Sequence, residues 1–241
     1  MQVPFGGQTG RGVKIAIVDS GINPSHPHVA GVAGGVRIGS EGAGDYLDYN
    51  GHGTAVAGAI REKAPDSMLF ALKVFDRSLT TRIETIIDAL VWAIEHDMTV
   101  INLSLGTARQ THLKDLQRVV DLATEKNISI VAAHNASGQP LFPGSLHPVI
   151  GVEADLLCPR DTYRTKDNRG ALIFLASPYP RDIPGVPRER NFSGISFAVA
   201  NMVGFVARAK EMQPNGSAGS LLKLLTDNAA GAGFQNPAEQ G

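Results

Sequence analysis

Short apolar runs alternate with stretches of helical periodicity along this chain of 241 residues, and that alternation narrows the possible folds more than any other feature. Lys14-Ile15-Ala16-Ile17-Val18 and Leu69-Phe70-Ala71-Leu72-Lys73-Val74 read as buried strands. Thr81 to Asp97 then places Ile83, Ile86, Ile87, Leu90, Trp92 and Ile94 close to helical spacing. Thr99 to Ser104 is a third strand ending at Gly106, Leu113 to Lys126 an amphipathic helix, and Ile128 to Ala133 the next strand. Pro148 to Val152 is a further strand candidate, with helical patterns over Ser196 to Met212 and Ser217 to Asn228. Cys158 to Arg190 reads as irregular, solvated loops with a mild basic excess, seven Lys/Arg against four Asp/Glu. Strands that alternate with helices build βαβ units and a parallel sheet. The expectation is therefore an α/β fold, a mostly parallel central sheet with helices on both faces. No internal repeat or dividing linker interrupts it, so residues 1–241 read as one domain.

Ligands of such sheets bind at the carboxyl ends of the strands. Asp19, Ser104 and Ala133-His134-Asn135 each stand where a strand is predicted to end. Several strands thus deliver polar groups to one edge, as a substrate cleft requires.

Three segments set one reactive side chain each among glycines and apolar residues: Ile17-Val18-Asp19-Ser20-Gly21, Asn50-Gly51-His52-Gly53-Thr54 and Ser193-Gly194-Ile195-Ser196-Phe197-Ala198. Taken singly, Asp19 is an ordinary turn residue, His52 a structural histidine and Ser196 a helix N-cap. Taken together they supply an acid, a base and a hydroxyl. A serine hydroxyl is a weak nucleophile at neutral pH until a base takes its proton. The apolar run after Ser196 puts its hydroxyl at a helix start, where free N–H groups favour developing negative charge. Ser-His-Asp chemistry recurs on unrelated folds with a different chain order on each.

The order Asp, His, Ser is that of the subtilisins, and over nearly its whole length the sequence resembles a subtilisin-like serine protease, a subtilase. The resemblance implies the three-layer subtilisin-like fold and an Asp19-His52-Ser196 triad, with 33 residues between the first two. It makes Asn135 the oxyanion donor, matching the asparagine of the family's Gly-Asn segment. Losing such a donor costs about 2.7–4 kcal/mol of transition-state stabilisation, a value that comes from a subtilisin. Ser104-Leu105-Gly106 resembles the stretch that pairs with an extended substrate, and with Ala133 and His134 it would line the primary pocket. The partner implied is a peptide or protein substrate bound in extended form. No cofactor and no metal site is implied.

The sequence also departs from the family. Ile195 replaces the usual Thr, Ala200 the usual Pro, Asn201 the usual His, and Ala55 the second histidine of the His-Gly-Thr-His segment. His134 stands where a glycine is expected and should narrow or reshape the primary pocket. Arg61-Glu62-Lys63 leads almost directly to Ala64-Pro65, leaving out a loop that binds calcium in many subtilases.

A formal net charge of −1 gives no electrostatic case for nucleic acid or an anionic membrane. No apolar stretch approaches the roughly 18 residues of a membrane span. One cysteine, Cys158, excludes an intrachain disulfide, and the N-terminus shows no secretion signal. Both favour the cytoplasm slightly over a secreted mature form. The expected activity is a serine endopeptidase, either one specialised for processing leader peptides or a broad degradative enzyme. A non-catalytic peptide-binding module and a peptide ligase or macrocyclase are the alternatives.

Overall fold

A computed structural model describes residues 3–39, 44–76, 78–136, 138–168 and 170–230. The chain runs β1 (Lys14–Asp19), β2 (Gly34–Arg37), α1 (His52–Lys63), β3 (Met68–Lys73), α2 (Ile83–Glu95) and β4 (Val100–Leu103). It continues through α3 (Leu113–Glu125), β5 (Ser129–Ala133), β6 (Asn135–Ala136), β7 (Gln139–Pro140) and β8 (Ile150–Ala154). The last elements are β9 (Tyr163–Asn168), β10 (Ala171–Ala176), α4 (Ile195–Met212) and α5 (Ala218–Asp227). None of the described helices is long and apolar enough to cross a membrane.

Eight strands form one sheet in the order β2-β3-β1-β4-β5-β8-β10-β9, all neighbours parallel except β10 with β9. Side chains of a strand point alternately to its two faces, and the sequence uses both. Ile15 and Ile17 of β1 and Val131 and Ala133 of β5 face one core, with α1, α4 and α5. Ala16, Val18, Ile130 and Ala132 face the other, with α2 and α3. A strand covered on both faces has no polar side, which is why these runs are continuously apolar. Each fully buried Val, Leu or Ile contributes about 1.5–3 kcal/mol. The result is the three-layer α/β architecture of the sequence reading.

β1 lies between β3 and β4, so the connections leave it in opposite directions. This switch point opens a crevice beyond the carboxyl end of β1, where Asp19 sits.

One part of the sequence reading is corrected. Cys158 to Arg190 is not merely solvated loop, because β9 and β10 form an antiparallel hairpin at the sheet edge. Tyr163, Ile173, Phe174 and Ala176 are buried there, and the Tyr163 hydroxyl donates to the Leu225 carbonyl at 2.7 Å. The apolar run Ala171 to Ala176 marks that strand; averaging charge over the whole segment hid it.

Candidate functional site

Asp19 closes β1 and is completely buried, while His52 opens α1. Oδ1 of Asp19 lies 2.8 Å from Nδ1 of His52 and accepts the Ser20 N–H at 2.7 Å. A proton held on Nδ1 by the carboxylate leaves Nε2 as the acceptor of the ring. Burial works against the charged imidazole, yet the Asp19 hydrogen bond and the charges of Asp19 and Asp48 outweigh it. The His52 pKa therefore lies above its ordinary 6.5.

α1 can begin so close to β1 only because residue 53 is glycine. A Cβ there would lie 2.2 Å from the Gly21 carbonyl oxygen and 3.1 Å from Oδ1 of Asp19. The Gly53 N–H instead donates to the Ser20 hydroxyl at 3.0 Å.

Asp48 organises the loop that leads into His52. Its Oδ1 accepts from the Ser20 hydroxyl and the N–H groups of Asn50 and Gly51 at 2.8–2.9 Å. Its Oδ2 accepts the Thr54 N–H and hydroxyl at 2.9 and 2.6 Å. Burial pushes the carboxyl upward, but the Thr54 hydroxyl and the backbone donors of Gly51, Thr54 and Asn50 prevail, so its pKa is lowered. The same loop is held from below by buried Lys73, whose Nζ donates to the Leu47 carbonyl at 2.7 Å and lies 4.3 Å from the Tyr49 ring centroid. Ser20 and Asp48 drew no attention in the sequence; an aspartate just before the Asn-Gly-His turn was the available signal.

Ser196 stands in the first turn of α4, half-buried, after Gly194 with φ of +149°. That φ belongs to the region where a side chain is strained, so glycine is what lets the chain turn abruptly into the helix. Ser104 and Ser196 are joined reciprocally: the Ser104 hydroxyl donates to the Ser196 carbonyl at 3.3 Å, and the Ser196 hydroxyl to the Ser104 carbonyl at 3.5 Å. Asn102, buried in β4, donates to the Ser104 hydroxyl at 2.9 Å. Among the described residues no hydrogen bond links the Ser196 hydroxyl to His52. The two helix starts are nevertheless neighbours, since the His52 ring lies 5.5 Å from the Phe197 ring and 6.5 Å from that of Phe192.

Asn135 opens a two-residue hairpin beyond β5, and its Oδ1 accepts the Gly138 N–H at 3.0 Å. That bond turns the amide NH2, the donor end, away from the turn. Ser137 of the same segment lies outside the described residues. Ala133 is buried, and His134 is half-buried, with Nδ1 3.0 Å from Oε1 of Glu153 on β8. Glu153 also accepts from Lys166 of β9 at 2.5 Å. The ring packs over Gly151, so the imidazole is anchored to the sheet beside Asn135. Leu105 and Gly106 follow Ser104, and Thr107 pairs with Phe142 in an antiparallel bridge. Neither His134 nor Asn135 hydrogen-bonds to Asp19, His52 or Ser196 among the described residues. The same residues hold no cluster of three or more His, Cys, Asp or Glu fit to bind a metal ion.

The model of the family described as "Subtilase family" matches residues 10–158, a span that holds Asp19, His52 and Asn135 and stops short of Ser196. Subtilisin NAT of Bacillus subtilis subsp. natto is 38% identical over 210 residues, covering 81% of this chain and 52% of its own. M-protease of Shouchella clausii (strain KSM-K16) is 30% identical over 251 positions, covering 95% and 62%. The minor extracellular protease Epr of Bacillus subtilis (strain 168) is 34% identical over 160 residues, covering 61% and 24%. The chain thus spans a quarter to about three-fifths of the length of these relatives.

Proposed function

Because the chain belongs to the subtilase family, we propose that it is a serine endopeptidase whose triad is Asp19, His52 and Ser196. The observation that carries the reading is the 2.8 Å contact of buried Asp19 with His52 at the sheet's switch point, beside the helix start that bears Ser196. For catalysis the Ser196 hydroxyl, now directed to the Ser104 carbonyl, must turn about χ1 to Nε2 of His52 when substrate binds.

In the first half-reaction Oγ of Ser196 attacks the peptide carbonyl while Nε2 of His52 takes the hydroxyl proton. Asp19 stays ionised, fixes the ring's tautomer and stabilises the imidazolium. The oxyanion receives hydrogen bonds from the Asn135 NH2 and the Ser196 N–H, which has no acceptor within its own helix. The intermediate collapses to an acyl-enzyme as His52 gives its proton to the leaving amine. Water, deprotonated by His52, then releases the acid and restores Ser196. An extended peptide or protein pairs with Ser104-Leu105-Gly106 on one side and Ala133-His134 on the other. His134, fixed beside the oxyanion donor by Glu153, supports a restricted primary pocket and a processing role rather than broad degradation.

A fluorophosphonate probe should label one residue, Ser196, and Ser196→Ala should abolish both labelling and peptide cleavage while its circular dichroism is unchanged. Cleavage by a folded Ser196→Ala protein would overturn the assignment. No labelling of a folded protein that still binds peptides would favour the binding module.

A further inference from the structure

A cavity of about 270 Å³ opens beside the start of α1, and none of Ser104, Leu105 and Gly106 lines it. Its walls come from the loop after β1 (Asn23, His26, His28), the start of α1 (Gly51, Thr54, Ala55) and the loop before α4 (Arg181, Ile183, Phe192). It adjoins the base directly: Gly51 precedes His52, and the Phe192 ring packs edge-on to the imidazole. Ala55, where the resemblance calls for a histidine, occupies little of the space.

The polar groups of this cavity are unequal in kind. The His28 N–H donates to Nδ1 of His26 at 3.2 Å, so a neutral His26 carries its proton on Nε2 and presents a donor. Oδ1 of Asn23 is taken by the Ser25 N–H at 3.1 Å, which leaves its NH2 as the outward group. Arg181 spends one N–H on the His28 carbonyl at 3.5 Å and retains the rest of its fork. Asp48 is the one carboxylate among the described residues of the wall, and the five donors described above already occupy its oxygens. Asp182, next to Arg181, is directed to Arg160 at 3.5 Å. What the cavity offers is donors and a guanidinium, backed by Ile183 and Phe192.

We propose that this cavity receives an acidic side chain, Asp or Glu, from the first or second substrate residue on the amine side of the scissile bond. A planar carboxylate matches the fork of Arg181 and the donors of His26 and Asn23, and its short aliphatic stem lies against Ile183 and Phe192. A lysine there would meet the positive charge of Arg181. The position follows from the proposed endopeptidase chemistry: His52 protonates the leaving amine, so the chain beyond that amine departs past His52 into this side of the cleft.

The test measures binding, separately from turnover. Fluorescein-labelled octapeptides carrying Glu, Gln, Lys or Ala at either position are titrated into Ser196→Ala protein and read by fluorescence anisotropy. Glu peptides should bind about tenfold or more tightly than Lys peptides at one of the two positions, the size of a charge-assisted hydrogen bond. Arg181→Ala, made in the same background, should bring the two within about twofold, and Arg181→Lys should restore part of the preference. Equal Glu and Lys affinities up to millimolar peptide, or a preference that survives Arg181→Ala in a protein with an unchanged melting temperature, would overturn the proposal. The same peptides given to the unmodified protein report on the endopeptidase reading alone, since failure of every one to be cleaved would leave the binding comparison intact.

Discussion

The hydroxyl of Ser20 donates to Oδ1 of Asp48 at 2.9 Å and thereby ties the end of β1, which carries Asp19, to the loop that delivers His52. Because the same hydroxyl accepts the Gly53 N–H, one small side chain fixes the strand end, the loop and the helix start in a common frame. The Asp19–His52 contact is the product of that frame as much as of the two residues themselves, and a distortion of any part should reach the imidazole.

Gly53→Ala tests the frame sterically. Its Cβ would lie 2.2 Å from the Gly21 carbonyl oxygen, so strand end and helix must separate. Overpacking of this kind costs about 1–3 kcal/mol, and each kcal/mol lowers Tm by about 2–4 °C in a chain of this size. Calorimetry should show that loss, and kcat should fall more than KM changes, because the base moves while the substrate strands do not. An unchanged Tm would show that the helix start slides freely.

The pH dependence follows from His52. Its neutral form is the active one, so kcat/KM should rise with pH through a midpoint above 6.5. Asp48→Asn removes one of the charges that raise this value and should move the midpoint toward lower pH. In stability the sign is opposite. A histidine pKa raised on folding contributes stability that is complete below the unfolded value of about 6.5, and that contribution fades as pH climbs through the folded pKa. NMR titration of the His52 ring in both proteins checks the shift; coincident curves would remove Asp48 from the electrostatics of the base.

Asn135→Ala should lower kcat about 10²–10³-fold with little change in KM, since the donor acts on the oxyanion of the transition state. The loss of its bond to the Gly138 N–H costs only a turn contact. Steady-state kinetics decide the matter, because a change confined to KM would make Asn135 a substrate-binding residue.

His134→Gly should widen preference at the residue before the scissile bond toward large apolar side chains, by about 10–200-fold in kcat/KM for the newly admitted ones. Lys166 still pairs with Glu153 in the variant, so no carboxylate is left unpaired by the change. Peptides varied only at that position measure it, and matching profiles for the two proteins would show that the imidazole serves the sheet instead of the pocket.

Periodicity read β1, β3, β4, β5, β8 and α2 to α5 within a few residues because each had to bury a regular face: Leu113 to Lys126 became α3 over Leu113–Glu125, and Ser217 became the N-cap of α5. Short β2, the small-residue helix α1 and the edge hairpin β9–β10 escaped it. The proximity of Asp19 and His52 was legible through the glycines around them. Asp48, Ser20 and Lys73 escaped because a loop bound by hydrogen bonds to distant strands has no period to detect. The Ser104–Ser196 link, spanning 92 residues, exists only once β4 and α4 are packed, and no local pattern announces it. The anchoring of His134 by Glu153 depends likewise on the β5–β8 register, which places strands from opposite sides of a hairpin together.

α4 has 13 of its 18 residues buried, with Val199, Val203 and Phe205 wholly enclosed. Helical amides that deep exchange with solvent only when the whole molecule opens, so their deuterium uptake reports the global unfolding free energy. Ser196 is thus mounted on the last part of the molecule to let go, and the lifetime of the site under heat or denaturant should be the lifetime of the fold.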